Sequence, residues 1–192
     1  MTERIDGRAV ITADDRATLR RWLAAHHAEG ESVWLATWKK PDPRHLPWTD
    51  AVEELLCWGW IDAVTRKVDD GRSAHLIAPR RPRSAWSAVN KRLVEGARAS
   101  GAMTEHGEAM IAAAEENGMW TWLDDVEAGV VPGDLAAAVG PHRAAWDGWS
   151  RSVRRGTLEW IKTAKRAPKR ARRVADAAEA AAAGRRPSPF RR

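Results

Sequence analysis

Trp60-Ile-Asp-Ala-Val-Thr-Arg-Lys-Val68, then Asp69-Asp-Gly-Arg72, then Ser73-Ala-His-Leu-Ile-Ala78 is the stretch that decides the fold. Both flanks alternate apolar and polar residues, as half-buried strands do. Between them sits an Asp-Gly pair, whose glycine tolerates the positive φ of a tight hairpin turn. Residues 60–78 are therefore expected to form a hairpin turning at Asp69-Asp-Gly71. A helix across residues 64–76 would exclude this reading. Trp60 and Asp62 lie two apart, so a strand places them on one face.

Upstream, Ser32-Val-Trp-Leu-Ala-Thr-Trp-Lys-Lys40 is rich in β-formers and reads as a strand that Pro41 ends. Residues 1–12 read as a short leader or a first strand. Thr12 is expected to cap a helix that reaches His27 and stops near Gly30, with Asp14 and Asp15 in its first turn. Thr49 is expected to cap a second helix with Val52, Leu55, Leu56 and Gly59 on one face. Downstream, Ser84 is expected to cap a helix carrying Trp86, Val89, Asn90 and Leu93. Further helices are expected at about 104–117, 133–139, 142–149, 151–166 and 168–183, the last ended by Gly184. The expected fold is α+β: a small antiparallel sheet of three or four strands covered by helices, with an all-helical C-terminal module. The expected organisation is an α+β region over residues 1–125, a helical module over 126–184 and a disordered tail over 185–192.

Composition narrows the function. The chain of 192 residues has 12 Trp, 1 Phe and no Tyr, which excludes any mechanism needing a phenol. Its one cysteine, Cys57, excludes an intramolecular disulfide and any multi-cysteine metal centre. The first eight residues carry no apolar run, so a cytoplasmic location is expected. Charge is uneven. Residues 151–192 hold 14 Lys/Arg against 3 Asp/Glu, whereas residues 1–150 are net −5 within a total of +6. The basic character therefore belongs to the C-terminal end.

Glu53-Glu-Leu-Leu-Cys-Trp-Gly-Trp-Ile-Asp62 resembles the core signature of the YdeI/OmpD-associated (OmdA, bacteriocin-protection) family. Pro79-Arg-Arg-Pro-Arg-Ser-Ala-Trp-Ser-Ala-Val-Asn90 resembles a second block of it, and Val131-Pro-Gly-Asp-Leu135 with Leu158-Glu-Trp-Ile-Lys-Thr-Ala-Lys165 a third. The similarity in order and spacing runs over roughly residues 15–183. The chain departs from the pattern at Ile77 and Ala78, where the family has an aromatic and a hydroxyl residue. Trp38, Trp48 and Trp58 stand where it has Tyr or Phe. The resemblance implies a bacterial protein of stress resistance or protection against antimicrobial peptides. It implies no reaction and no cofactor.

The residues themselves point to one constellation: Trp60, Asp62, Arg80, Arg81, Arg83, Trp86, Ser87 and Asn90. Guanidinium groups beside a helix N-terminus make an anion site, with Trp60 or Trp86 as an apolar wall. The same residue types also build structural ion pairs, so Asp62 pinning an arginine is the competing reading. The ligand expected is a small phosphate or carboxylate compound. A binding protein is favoured over an enzyme acting on such a substrate, and neither catalytic residues nor a metal site is assigned. Cys57 follows Leu55 and Leu56 on an apolar helix and reads as an inert thiol. The six histidines are scattered, with His26-His27 at a helix C-terminus. The adjacent acids Glu53-Glu54, Asp69-Asp70, Glu115-Glu116 and Asp124-Asp125 read as solvated surface. Trp22, Trp34, Trp58, Trp120, Trp146 and Trp160 read as core. Trp58-Gly-Trp60 and Trp120-Thr-Trp122 are candidates for a stacking surface. The run Lys162 to Arg173 reads as a solvated helical face, with weak nucleic-acid or anionic-surface contact as the alternative.

Overall fold

The computed structural model describes residues 3–190 and divides the chain into two units, residues 1–122 and 123–192. In the first, β1 (Arg4–Ile5) and β2 (Arg8–Thr12) lead to helix α1 (Arg16–His26). Strand β3 (Val33–Trp38), helix α2 (Trp48–Cys57), strands β4 (Trp60–Lys67) and β5 (Arg72–Pro79), and helices α3 (Ala88–Ala99) and α4 (Glu105–Glu116) follow. The hairpin forms where the Asp-Gly pair demands it, with Lys67 opposite Ser73. Asp69 accepts from the backbone N–H groups of Gly71 and Arg72, which fixes the turn.

The sheet differs from expectation. Among the described residues it has five strands in the order β1-β2-β3-β5-β4, and β2 pairs with β3 in parallel. The parallel step arises because α1 carries the chain back across the sheet between β2 and β3. One face meets α1 and α2, where Leu35, Trp60 and Ile77 pack with Leu19, Leu23, Ala51 and Leu55. The opposite face holds Val10, Trp34, Ala36 and Ala74.

Helix α2 is the hub. Leu55 faces the sheet, while Leu56 joins Trp86, Val94, Ile111 and Ala114 beneath α3 and α4. Gly59, at φ +70, ends α2 and turns the chain into β4 within two residues. Thr104 caps α4 and its hydroxyl also donates to the carbonyl of Cys57, closing the end of α2.

Three caps fall elsewhere than expected. Thr12 stays in the sheet opposite Ala36, so Asp15 caps α1 by accepting from the Thr18 N–H. Asp14 and Asp15 thus precede the first turn. Helix α2 starts after Pro47, and Thr49 makes no cap. Residues 81–84 form a turn and Trp86 donates its N–H to the Met119 carbonyl, so Ser87, not Ser84, caps α3.

The second unit contains α5 (Asp124–Glu127), α6 (Gly133–Val139), α7 (Arg143–Asp147), α8 (Arg151–Lys162) and α9 (Ala167–Ala182). The four-residue α5 was not expected. The inner stripe of α9 is Val174, Ala177, Ala180 and Ala181, small enough for close helix packing. The tail departs from expectation: Ser188–Phe190 form a single 3-10 turn, and the Ser188 N–H donates to Asp176. Its last two residues lie outside the described ones.

Gly107 of α4 sits against the end of α2. A Cβ there would stand 2.5 Å from the Cys57 carbonyl oxygen and 2.8 Å from that of Leu56. Gly107→Ala is therefore expected to destabilise by about 1–3 kcal/mol in urea unfolding. Gly133→Ala, where a Cβ meets nothing, is expected to change stability little.

Candidate anion site and the buried charges around it

Strand β5 ends at Pro79, and the backbone N–H of Arg80 donates to the Gly59 carbonyl at 2.8 Å. That bond carries Arg80 inward. Its side chain is 3% exposed, and the guanidinium carbon lies 3.8 Å from the Trp86 ring centroid. Such stacking suits a planar, weakly hydrated cation. Nη2 donates to the Ala85 carbonyl at 2.5 Å, but Nε and Nη1 are buried with no acceptor. Burial pulls the guanidinium down to about 10, and the nearby Asp62 carboxylate opposes this without bonding to it. At neutral pH the group is still charged. A buried cation with two unsatisfied N–H edges is rare, because each orphaned donor carries its full desolvation cost.

The other expected residues divide. Trp86 is the aromatic ring against Arg80. Trp60 is not: its indole donates to the His27 carbonyl at 3.2 Å and meets Trp22 edge-on in the α1–α2 core. The physical reason is alternation, which turns Trp60 toward α1 and Ile61 toward Trp86. Asp62 is half-buried on β4 and its charge also reaches His75. Arg81 and Arg83 are exposed, whereas Arg80 is buried. The Ser87 hydroxyl is occupied as the α3 cap, accepting from the Asn90 N–H. Asn90 therefore lies in the first turn of α3.

A second buried charge was missed. Glu54 was expected at the surface with Glu53, yet it is 0% exposed. Its carboxylate accepts from Arg16 Nε at 2.9 Å, Arg20 Nη1 at 2.7 Å and Trp58 Nε1 at 3.2 Å. Glu53 takes Arg16 Nη2 at 2.7 Å. The signal was present as spacing: Arg16 and Arg20 are four apart on α1, and Glu54 of α2 is four before Trp58, the residue that follows that helix.

Cys57 is buried, and burial, followed by the charge of Glu54, pushes its thiol up to about 11. His26 stacks on Trp22, while His27 meets Trp58 and His106. Trp120 packs on Trp86 with ring centroids 5.0 Å apart, so it serves the core. Within the basic run, Lys162 pairs with Asp125, Arg170 with Asp134, and Arg173 donates to Trp160 and Thr163. No helix among the described residues is long and apolar enough to cross a membrane.

An α+β unit with a buried, half-satisfied guanidinium, followed by a helical module, is the class of protein these observations define. Residues 11–110 match the model of a domain of unknown function (DUF8412), and the chain belongs to that family. Residues 128–184 match the model described as bacteriocin-protection, YdeI or OmpD-associated (OmdA). The OmdA likeness is thus carried by the helical module. The blocks at 53–62 and 79–90, expected to carry it as well, fall within the other match. No curated protein and no solved structure matches the chain.

Glu54→Gln is expected to cost about 2–4 kcal/mol in chemical unfolding, since it leaves two arginines facing a neutral group. Glu53→Gln should cost under about 1 kcal/mol. Cys57 is expected to resist iodoacetamide in the native protein at mildly alkaline pH and to react fully once unfolded. Its thiolate forms only as pH approaches about 11.

Proposed function

We propose that this chain is a non-enzymatic protection protein of the bacteriocin-protection kind, whose N-terminal unit holds one small anion against Arg80. The observation that carries this is the pair of acceptor-free nitrogens, Nε and Nη1, on a guanidinium 3% exposed. An anion bound there would supply the missing acceptors and balance a charge that Asp62 meets only at a distance. The loop suits the task. Pro79 and Pro82 limit its backbone, and Asn117 Nδ2 donates to the Pro82 carbonyl at 2.9 Å. The exposed Arg81 and Arg83 raise the local anion concentration. A binding role fits better than catalysis because the nearest reactive groups are committed. Cys57 is a buried neutral thiol, and the Glu54 carboxylate is filled by three donors.

Phosphate and sulfate are expected to raise the melting temperature saturably over an ionic-strength-matched chloride control, as a ligand selective for the native state does. Arg80→Met should abolish that rise. In a bacteriocin-sensitive strain, the intact protein should raise survival and Arg80→Met should not, at equal protein level. Absence of any anion response, with Arg80→Met less stable than the parent, would make Arg80 a structural residue and overturn the anion role. Survival unchanged by the intact protein would remove the protection role.

A further inference from the structure

The helical module contains a cavity of about 260 Å³ whose charges do not balance. It lies where the turn after α5 faces the start of α8. Arg143, Arg151, Arg154 and Arg155 line it against only Glu127 and Asp147. Two of the four arginines are answered. Arg155 donates to Glu127 at 2.7 Å and to Glu159 at 2.6 Å, and Arg143 donates to Asp147 at 2.8 Å. The other two are not. Arg154 reaches Asp147 only at 3.7 Å, and its Nε is buried without an acceptor. Arg151 has no partner among the described residues. Both stand in the first turns of α8, a helix of 12 residues, where the positive end of the dipole adds to their field.

The rest of the lining is apolar. Trp146 is buried and presents its indole from α7, and Val131 and Leu158 complete the wall. A cavity combining uncompensated guanidinium groups with an aromatic and aliphatic wall suits a molecule with one anionic end and one greasy end. Its volume lies just below the ~300–1,000 Å³ of drug-sized sites, so the occupant is a small acid or the last residue of a peptide.

We infer that this cavity binds a small carboxylate with an apolar body, its charge met by Arg151 and Arg154 and its apolar part lying on Trp146, Val131 and Leu158. The site is independent of Arg80 and falls within the segment matched by the OmdA model. The shared chemistry is a carboxylate attached to an apolar group, whether a free acid or a peptide C-terminus.

The full chain would be titrated with phenylacetate, N-acetyl-leucine and N-acetyl-leucinamide while the Trp146 indole N–H is followed by NMR. Both acids are expected to shift that signal saturably, and the amide to leave it unmoved. N-acetyl-leucine binding more tightly than phenylacetate would identify a peptide terminus, and the reverse order a free acid; either supports the site. Arg151→Gln and Arg154→Gln should each weaken acid binding roughly tenfold or more, the effect of losing one charge-assisted contact. Arg151 has no partner to lose, so its variant keeps the test valid if Arg154→Gln fails to fold. Arg172→Gln and Arg80→Met should bind as the parent does. Equal binding of acid and amide, inorganic phosphate competing as well as the acids, or no shift with any probe would overturn the inference.

Discussion

One carboxylate organises the N-terminal unit. Glu54 lies within α2 with no solvent contact, and its charge is held by Arg16 and Arg20 of α1 and by Trp58, which follows α2. A buried anion persists only when its lone pairs are filled with good geometry. Those bonds fix the rotation of α1 against α2. That rotation sends Leu55 to the sheet and Leu56 to the opposite core. It also sets the end of α2, because Thr104 and Gly107 meet the carbonyls of Leu56 and Cys57 there. Gly59 then leads into β4 and offers its carbonyl to Arg80. The position of the arginine loop thus descends from the Glu54 clamp through a short chain of backbone contacts.

Glu54 and Arg80 form an instructive contrast. Both are charged and buried, and burial costs each of them hydration. Glu54 recovers it fully, with bonds from three side chains. Arg80 recovers it in part, through one carbonyl and the face of Trp86. A fold able to satisfy one buried charge so completely leaves the other short on two of its three nitrogens. The proposed function rests on that asymmetry. The helical module repeats the pattern at Arg154, whose Nε is also buried and without an acceptor.

Much of the fold was legible because local rules agreed with the tertiary outcome. The Asp-Gly turn, the alternating flanks and the helical run of α6 needed no long-range information. The misplaced caps show where local rules fail. Thr12 and Ser84 have the right chemistry, but the sheet keeps Thr12 extended, and a turn holds Ser84 before the helix. The parallel pairing of β2 with β3 depends on where α1 returns the chain, which periodicity does not report. In the site, Arg80 and Trp86 were legible from the Pro-Arg-Arg-Pro motif beside a helix start. Trp60 and Trp86 stood as alternatives for the apolar wall, because alternation gives two faces without saying which one meets the arginines. Glu54 was hidden by its pairing with Glu53. Adjacent acids look alike in sequence, yet a rotation of about 100° separates solvent from core.

The central claim is that Arg80 holds its charge for an anion and not for Asp62. Crystals grown in bromide and measured at the bromine absorption edge test it most directly. The account predicts an anomalous peak within hydrogen-bond distance of Arg80 Nε or Nη1, with the Asp62 carboxylate remaining unbonded to the guanidinium. An empty site with Asp62 hydrogen-bonded to Arg80 would contradict it.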